Sequence, residues 1–502
     1  MNFLPAILLL FIARFTESAN ILALVGSAFK SHHLWDQVIF DELVQRNHSL
    51  TILTVQNEVP KSTANTKYIQ IEEALKPVDY SKLSEEYGSY KIIMHFYEIQ
   101  LKTCLGVRRT NFDKLKTTLT SKTYDLILYD SSNGDCLIKF TELFPEIPVI
   151  SLSATKINNF EKSKTGVVPH FSSAYGSHMG VFQRFNNLGL YNFESFYRTY
   201  IVENIITQLM QISDLEKLRN RIKVELLGIN LLTDNVASLP QHVIPVAGLH
   251  IQKSLDYPEF NDILNDDKFL GNILISLNVN ATKDLQEIVE VAKNFEKYKF
   301  LVKLENKLLT KEKVPSNVLL SEWFPQQTIL HHSRTAGFII RGGALSIQEA
   351  IYFSVPTIIY PISLDHFRNA KYAEDQGFSQ TISSIKELSQ AIESLLKSNS
   401  FKTKVVNQSK LFKSGESKPL DKAIWWIEHV LANPDLVFKS PADDRFFIIQ
   451  NSLDIYCFFV SLFVLFLFNF IYNLRKAKSA KKTAKKEAKL SKLKTKKNGK
   501  RE

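Results

Sequence analysis

Trp323-Phe-Pro-Gln326, then Arg341-Gly342-Gly343-Ala344-Leu345-Ser346-Ile347-Gln348-Glu349-Ala350, then Asp365-His366-Phe367-Arg368-Asn369 punctuate a single stretch of alternating apolar and polar runs. Phe338-Ile-Ile340 and Thr357-Ile-Ile359 are short β-rich runs, and Ala344 to Phe353 between them has helical length. This is a strand, a Gly-Gly turn, a helix and a second strand, one unit of a parallel α/β sheet. Gly342 and Gly343 open the helix and offer backbone N–H groups at its positive end, where anions bind, and Ser346 adds a hydroxyl. Trp323 and Gln326 offer an aromatic face and an amide edge, both suited to a pyrimidine base. With Glu349 further along the helix and Asp365-His366 after the second strand, the spacing suits a grip on a nucleotide sugar.

The same rhythm extends in both directions. Ile21–Val25, Leu50–Val55, Asp125–Tyr129 and Val149–Leu152 read as strands, and Leu34–Arg46 as a helix with Trp35, Ile39 and Leu43 at i, i+4 and i+8. The pattern restarts between His242 and Gly248, and Ile273–Ser276, Phe300–Val302 and Val318–Leu320 precede the two strands already named. The expected fold is therefore α/β: two tandem Rossmann-like domains, 20–240 and 241–445, with a cleft at the strand ends where ligands bind. The aromatic-rich segment Tyr175–Val224 reads as helices of the first domain and is equally suited to shape an acceptor pocket.

The ends of the chain set its surroundings. Residues 1–19 carry an apolar run, Leu4 to Ala13, then small residues at Ser18-Ala19, the layout of a cleaved secretory signal. Residues 455–474 are apolar and long enough as a helix, about 30 Å, to cross a bilayer core. The tail 475–502 holds fourteen Lys or Arg against two Glu, +12 of a chain total of +11, so everything before it sums to about −1. That balance removes the case for nucleic-acid binding by the folded part, and a basic block after a single span places the tail in the cytoplasm and the domains in the lumen. Asn47, Asn280 and Asn407 stand in glycosylation sequons. Of three cysteines, Cys457 lies in the span, and Cys104 and Cys136 either pair or stay free.

The Trp323–Asn369 segment resembles the signature of the UDP-glycosyltransferases. Signal, span and basic tail are similar to the membrane-bound, UDP-glucuronosyltransferase-like branch of animals, and Ser31-His32-His33, Asp130 and Trp425-Trp426-Ile-Glu428 extend the likeness over nearly the whole chain. The resemblance implies a GT-B arrangement with a single-pass C-terminal helix in the endoplasmic reticulum membrane. It implies a UDP-sugar donor, a small lipophilic acceptor, no cofactor and no metal, and leaves assembly as a homo-oligomer open. It also implies roles: Trp323 stacks on uracil, Gln326 holds the nucleotide, Glu349 takes the ribose hydroxyls, His32 is the base and Asp130 orients it. Inverting displacement of UDP by an acceptor hydroxyl is the reaction so implied.

The chain departs from the family pattern at three places. Arg341 replaces the usual His before the glycines, which exchanges an imidazole for an always-charged phosphate fork. In the loop that begins at Ser276, Asn278-Val279 replace Gly-Ser, and Asn280 puts a sequon beside the phosphates that a working enzyme leaves unoccupied. His366 replaces the Gln of the family's Asp-Gln pair, although Asp365 is kept. These changes cluster at the phosphate and sugar ends and leave two expectations: an active hexosyltransferase, or a degenerate relative that binds and regulates.

Overall fold

The computed structural model describes residues 18–27, 29–56, 59–71, 89–132, 134–155, 165–234, 239–252, 257–279, 282–304, 314–362, 364–415, 417–438, 447–450 and 452–498. They divide into a compact body, up to Leu436, and a C-terminal unit from Val437.

The body holds two parallel sheets. The first has strands β1 (Asn20–Val25), β2 (Ser49–Thr54), β3 (Thr66–Gln70), β4 (Leu126–Asp130), β5 (Val149–Ser153), β6 (Ile222–Leu227) and β7 (Val243–Pro245), in the order β3-β2-β1-β4-β5-β6-β7. The second has β8 (Gly271–Val279), β9 (Tyr298–Leu304), β10 (Val318–Ser321), β11 (Thr335–Ile340), β12 (Thr357–Ile359) and β13 (Ser379–Thr381), in the order β10-β9-β8-β11-β12-β13. Each is doubly wound, and each reverses direction once, between β1 and β4 and between β8 and β11. Ile21, Leu22, Ala23 and Leu24 are fully buried, as central parallel strands covered on both faces must be.

Eleven runs expected as strands or helices lie where the sequence put them, within a residue or two at most ends. Three outer strands, β3, β6 and β13, were not foreseen. Lys67, Lys223 and Glu225 interrupt the apolar pattern of the first two, and β13 is only Ser-Gln-Thr. The expected boundary at 240 also shifts: Val243–Pro245 pairs with β6 and so closes the first sheet instead of opening the second. After the second sheet, α1 (Pro419–Ala432) returns to the first domain, where Glu428 meets Arg46 at 3.4 Å and His48 at 3.7 Å.

Cys104 and Cys136 form a disulfide, tying the long helix Ser89–Arg109 to the segment after β4. In the C-terminal unit a helix, Leu453–Asn498, is apolar and long enough at its start to cross a membrane. Most of the signal segment and Asn280 lie outside the described residues.

Candidate functional site

Open α/β sheets bind ligands where strand order reverses, because neighbouring loops there splay apart. Both reversals of this body carry the residues singled out from the sequence. At the first, β1 runs into Ser27 and a helix, α2 (Lys30–Gln45), which presents His32; β4 ends on Asp130. At the second, β8 carries Ser276, in register with Ile340 of β11, and Arg341-Gly342-Gly343 follow directly.

The first reversal is organised around Ser27, which is fully buried. Its hydroxyl lies 3.1 Å from Nδ1 of His32 and accepts the Phe29 N–H at 3.1 Å, while its carbonyl lies 2.7 Å from Nε2 of His33. Its own N–H donates to Asp130 at 2.9 Å, and Ser132 N–H donates to the other Asp130 oxygen at 2.9 Å. Both Asp130 oxygens are thus engaged by backbone, and Ser27 stands between aspartate and histidine where direct contact was expected. Burial lowers His32 to about 4, against the field of Asp365, and lowers His33 to about 4. Burial likewise raises Asp130, opposed by the donors from Ser132 and Ser27. One turn beyond His32, Asp36 is buried with one carboxyl oxygen unpartnered, and desolvation, then Asp130, pushes it well above the usual carboxylate range.

The second reversal turns on Gly342, which adopts φ +95°, a conformation L side chains rarely take. A Cβ there would sit 3.0 Å from the His366 carbonyl oxygen and 3.0 Å from a methyl of Ile359. Gly343 then caps α3 (Ala344–Tyr352) with no side chain over the first-turn N–H groups. On α3, Glu349 is buried and already bound: Gln326 donates to one oxygen and Gln327 to the other, at 2.9 Å. Burial raises its carboxyl, partly offset by those amides and by Lys303. His250, lowered by burial to about 4, lies 3.6 Å from the same carboxylate. The Ser346 hydroxyl is 3.5 Å from Gln326, and Trp323 is half exposed, edge-on to Tyr257 at 5.4 Å between ring centres.

Asp365 and His366 begin a helix, α4 (His366–Asp375). Asn369 donates to Asp365 at 2.7 Å and to the Gly342 carbonyl at 3.0 Å, fastening the polar pair to the glycine turn. His366 is held low by burial, with Arg341 reinforcing and Asp365 opposing. Leu364 and Phe367, on either side of this pair, pack into the hydrophobic core of the first domain. That packing brings Asp365 within electrostatic reach of His32, so the two reversals face each other across the cleft.

Ser27, Gln327, Lys303 and His250 are site residues the sequence reading missed, and Asn369, quoted only as the end of the polar motif, was given no role. Gln327, next to Gln326 at a helix start, was open to discovery from position alone. Of the sequons, Asn47 is exposed in a turn, at φ 68°, whereas Asn407 lies inside the helix Asn399–Phe412 with the Ser409 hydroxyl bonded to the Tyr352 carbonyl.

Two doubly wound domains joined across a cleft, with a glycine turn at one reversal and a buried histidine at the other, define the GT-B class of glycosyltransferase. Solved structures agree: the glycosyltransferase of kitacinnamycin superposes with a TM-score of 0.56 at 16% identity, over 82% of this chain and 98% of that one. A Phytolacca americana enzyme complexed with UDP-2-fluoro-glucose and pterostilbene gives 0.53 at 16% identity, over 82% and 100%. The family described as UDP-glucoronosyl and UDP-glucosyl transferase matches residues 22–490, and this chain belongs to it. A UDP-glycosyltransferase of Dactylopius coccus is 27% identical, over 89% of this chain and 93% of its own length. Human UDP-glucuronosyltransferase 2B15 is 25% identical over 86% and 88%. The chain is therefore a glycosyltransferase of the animal, membrane-bound branch, moving a sugar from a UDP-sugar to an acceptor.

Proposed function

We propose that this protein transfers a hexose, glucose or glucuronic acid, from its UDP-sugar to a hydroxyl of a small lipophilic acceptor, with inversion and without a metal. The observation that carries the reading is the approach of Asp365 to His32, which sets a sugar-side carboxylate opposite a base. With Nδ1–H of His32 donating to the Ser27 hydroxyl, Nε2 keeps its lone pair and takes the acceptor proton. The hydroxyl oxygen then attacks the anomeric carbon from the face opposite UDP, and the bond to the β-phosphate oxygen breaks. Asp130 supports the imidazolium through the Ser27 amide.

On the donor side, Trp323 stacks on uracil, Gln326 holds the base or ribose, and Glu349 exchanges its two glutamine partners for ribose hydroxyls. The charge on departing UDP is met by the first-turn N–H groups after Gly342-Gly343, by Arg341 and by Ser346, with Ser276 on the adjoining strand. Asp365 and His366 face the sugar, and His366, kept neutral by burial, offers one donor and one acceptor in place of an amide edge. A cavity of ≈ 350 Å³ beside Ser132, lined by Phe96, Tyr97, Val202 and Ile206 together with Asp135, Arg198, Glu203 and Arg219, has room for a small acceptor. A span followed by a basic tail supports domains in the lumen of the endoplasmic reticulum, and the Cys104–Cys136 disulfide is in keeping with that oxidising compartment.

The test is titration of the full chain with UDP, UDP-glucose and UDP-glucuronic acid, followed by turnover with the best donor in EDTA and NMR of the product's anomeric proton. Transfer in EDTA with a β-linked product from the α-linked donor is expected. UDP binding with no transfer to any acceptor would support the degenerate reading; retention or loss of rate in EDTA would overturn the mechanism.

A further inference from the structure

Where the first sheet borders its cavity, it departs from the apolar pattern of its central strands. Tyr129 of β4, Ser151 of β5 and Glu225 of β6 stand side by side in register, and neighbours in register point to one face. All three are buried, and all three line the cavity. The middle of a covered parallel sheet is ordinarily a run of Val, Ile and Leu. A polar row in that place needs polar groups to meet.

Most polar groups around the cavity are satisfied within the protein. Tyr97 donates to Glu194 at 2.8 Å, the Tyr129 hydroxyl to the Gly134 carbonyl at 3.0 Å, and Ser151 to Ser131 at 2.7 Å, while Arg219 bridges Asp135 and Glu203. Two groups are left over. Gln100 is only 5% exposed, yet its amide makes no hydrogen bond among the described residues. Gly134, at φ +91°, leaves the room that amide fills, since a Cβ there would meet its oxygen at 2.6 Å. Arg198 is the other. Its guanidinium makes no hydrogen bond among the described residues, and its Nε is buried without a partner. Its ion-pair contact is one Glu203 oxygen at 3.4 Å, which Arg219 already holds at 2.8 Å.

A local irregularity of the chain puts Arg198 there. A π-helical turn, Arg198–Val202, joins α5 (Val181–Tyr197) to α6 (Glu203–Met210), and the Glu203 N–H donates to the Arg198 carbonyl five positions back. Such turns are rare and occur frequently at functional sites. Around this one Arg198, Val202 and Ile206 all line the cavity.

We propose that this cavity selects an acceptor that carries a carboxylate on its apolar body, with Arg198 as the residue that selects it. The guanidinium fork takes the carboxylate in two parallel bonds, the Gln100 amide adds a donor, and the apolar body lies against Phe96, Val202 and Ile206. Acids outnumber arginines around the cavity by three to two, but the acids are engaged within the protein, and Arg198 is the ion whose pairing is incomplete. Ser132, whose N–H holds Asp130, marks the end of the cavity nearest the His32 dyad. The proposal narrows the acceptor reading above and rests on it for the reaction; the binding of the anion rests on the cavity alone.

The experiment uses the full chain in detergent, loaded with UDP, and three probes that share one body: para-hydroxyphenylpropanoic acid, its methyl ester and para-hydroxyphenylpropylamine. By ligand-observed NMR at pH 7 the wild-type Kd for the acid is expected to lie about tenfold or more below those for the ester and the amine, the yield of one charge-assisted pair. In Arg198→Gln the acid falls to the level of the ester. Arg198→Lys, which keeps the charge without the fork, lies between them, and UDP affinity reports that each variant is folded. Equal binding of the three probes by wild type, or tighter binding of the amine, overturns the proposal. An acid preference that survives in Arg198→Gln overturns the role given to Arg198. Turnover with the best UDP-sugar separates this proposal from the reading it narrows. Acid preference without transfer to any probe keeps the anion site and removes the transferase reading, whereas transfer to acid and ester with equal KM does the reverse.

Discussion

The hydroxyl oxygen of Ser27 lies 3.1 Å from Nδ1 of His32 in a fully buried setting. Removing it in Ser27→Ala leaves a buried ring nitrogen without its partner, at about 1–3 kcal/mol. We expect kcat to fall roughly tenfold to a hundredfold with the Kd for UDP unchanged by calorimetry. His32→Ala falls further, by about 10²–10⁴. Equal rates for wild type and Ser27→Ala would remove Ser27 from the proposed link between Asp130 and His32.

His32 sits at about 4 instead of 6.5 because burial disfavours its charged form. The imidazole is therefore already deprotonated throughout the neutral range. The acid limb of kcat/KM is expected to break near pH 4–5, with none of the usual inflection near 6.5, measured in buffers of constant ionic strength. Asp365→Asn removes a field that favours the imidazolium and moves that break lower still.

Asp36 titrates well above its ordinary range for want of solvent and because Asp130 is near. A carboxyl raised in the folded state is a stability cost that grows as pH climbs from its unfolded value, near 3.9, to its folded one, and stays constant above that. Asp36→Asn removes this cost. Its Tm is expected to exceed wild type at pH 7 and to converge with it toward pH 4.

Much of this architecture was legible in advance, and the unread parts share a cause. β1, β4, β11 and β12 are uninterrupted apolar runs because both of their faces are covered, and such runs declare themselves. β6 carries Lys223 and Glu225 and lies near the sheet's edge, so its pattern resembled that of the helices before it. Trp323, the glycines and Glu349 were found because the turn and helix fix their spacing within one segment. Ser27 was not, because its role depends on β4 bringing Asp130 to it from 103 positions away. The polar pair at 365 and 366 was visible, but its closeness to His32 arises from Leu364 and Phe367 seating in another domain's core.

Gly342 cannot be exchanged without cost. Gly342→Ala adds a methyl 3.0 Å from the His366 carbonyl and imposes a left-handed conformation on an L residue, about 1–2 kcal/mol before any clash. UDP affinity is expected to drop at least tenfold by calorimetry, with far-UV circular dichroism unchanged. Gly343→Ala, whose Cβ meets nothing within 4 Å, is the control and should keep affinity within a factor of about three.

Gln348 and Glu349 are consecutive residues of α3, pointing about a quarter-turn apart. The first accepts from Gly248 at 3.0 Å and donates to Gly228 at 2.7 Å, on the two sides of β7 where the first sheet ends. The second holds the glutamines beside Trp323. A rotation of this short helix of even ten degrees would thus be felt at both places together. The helix is a crank with one arm in each half of the enzyme, and a single peptide unit separates the two.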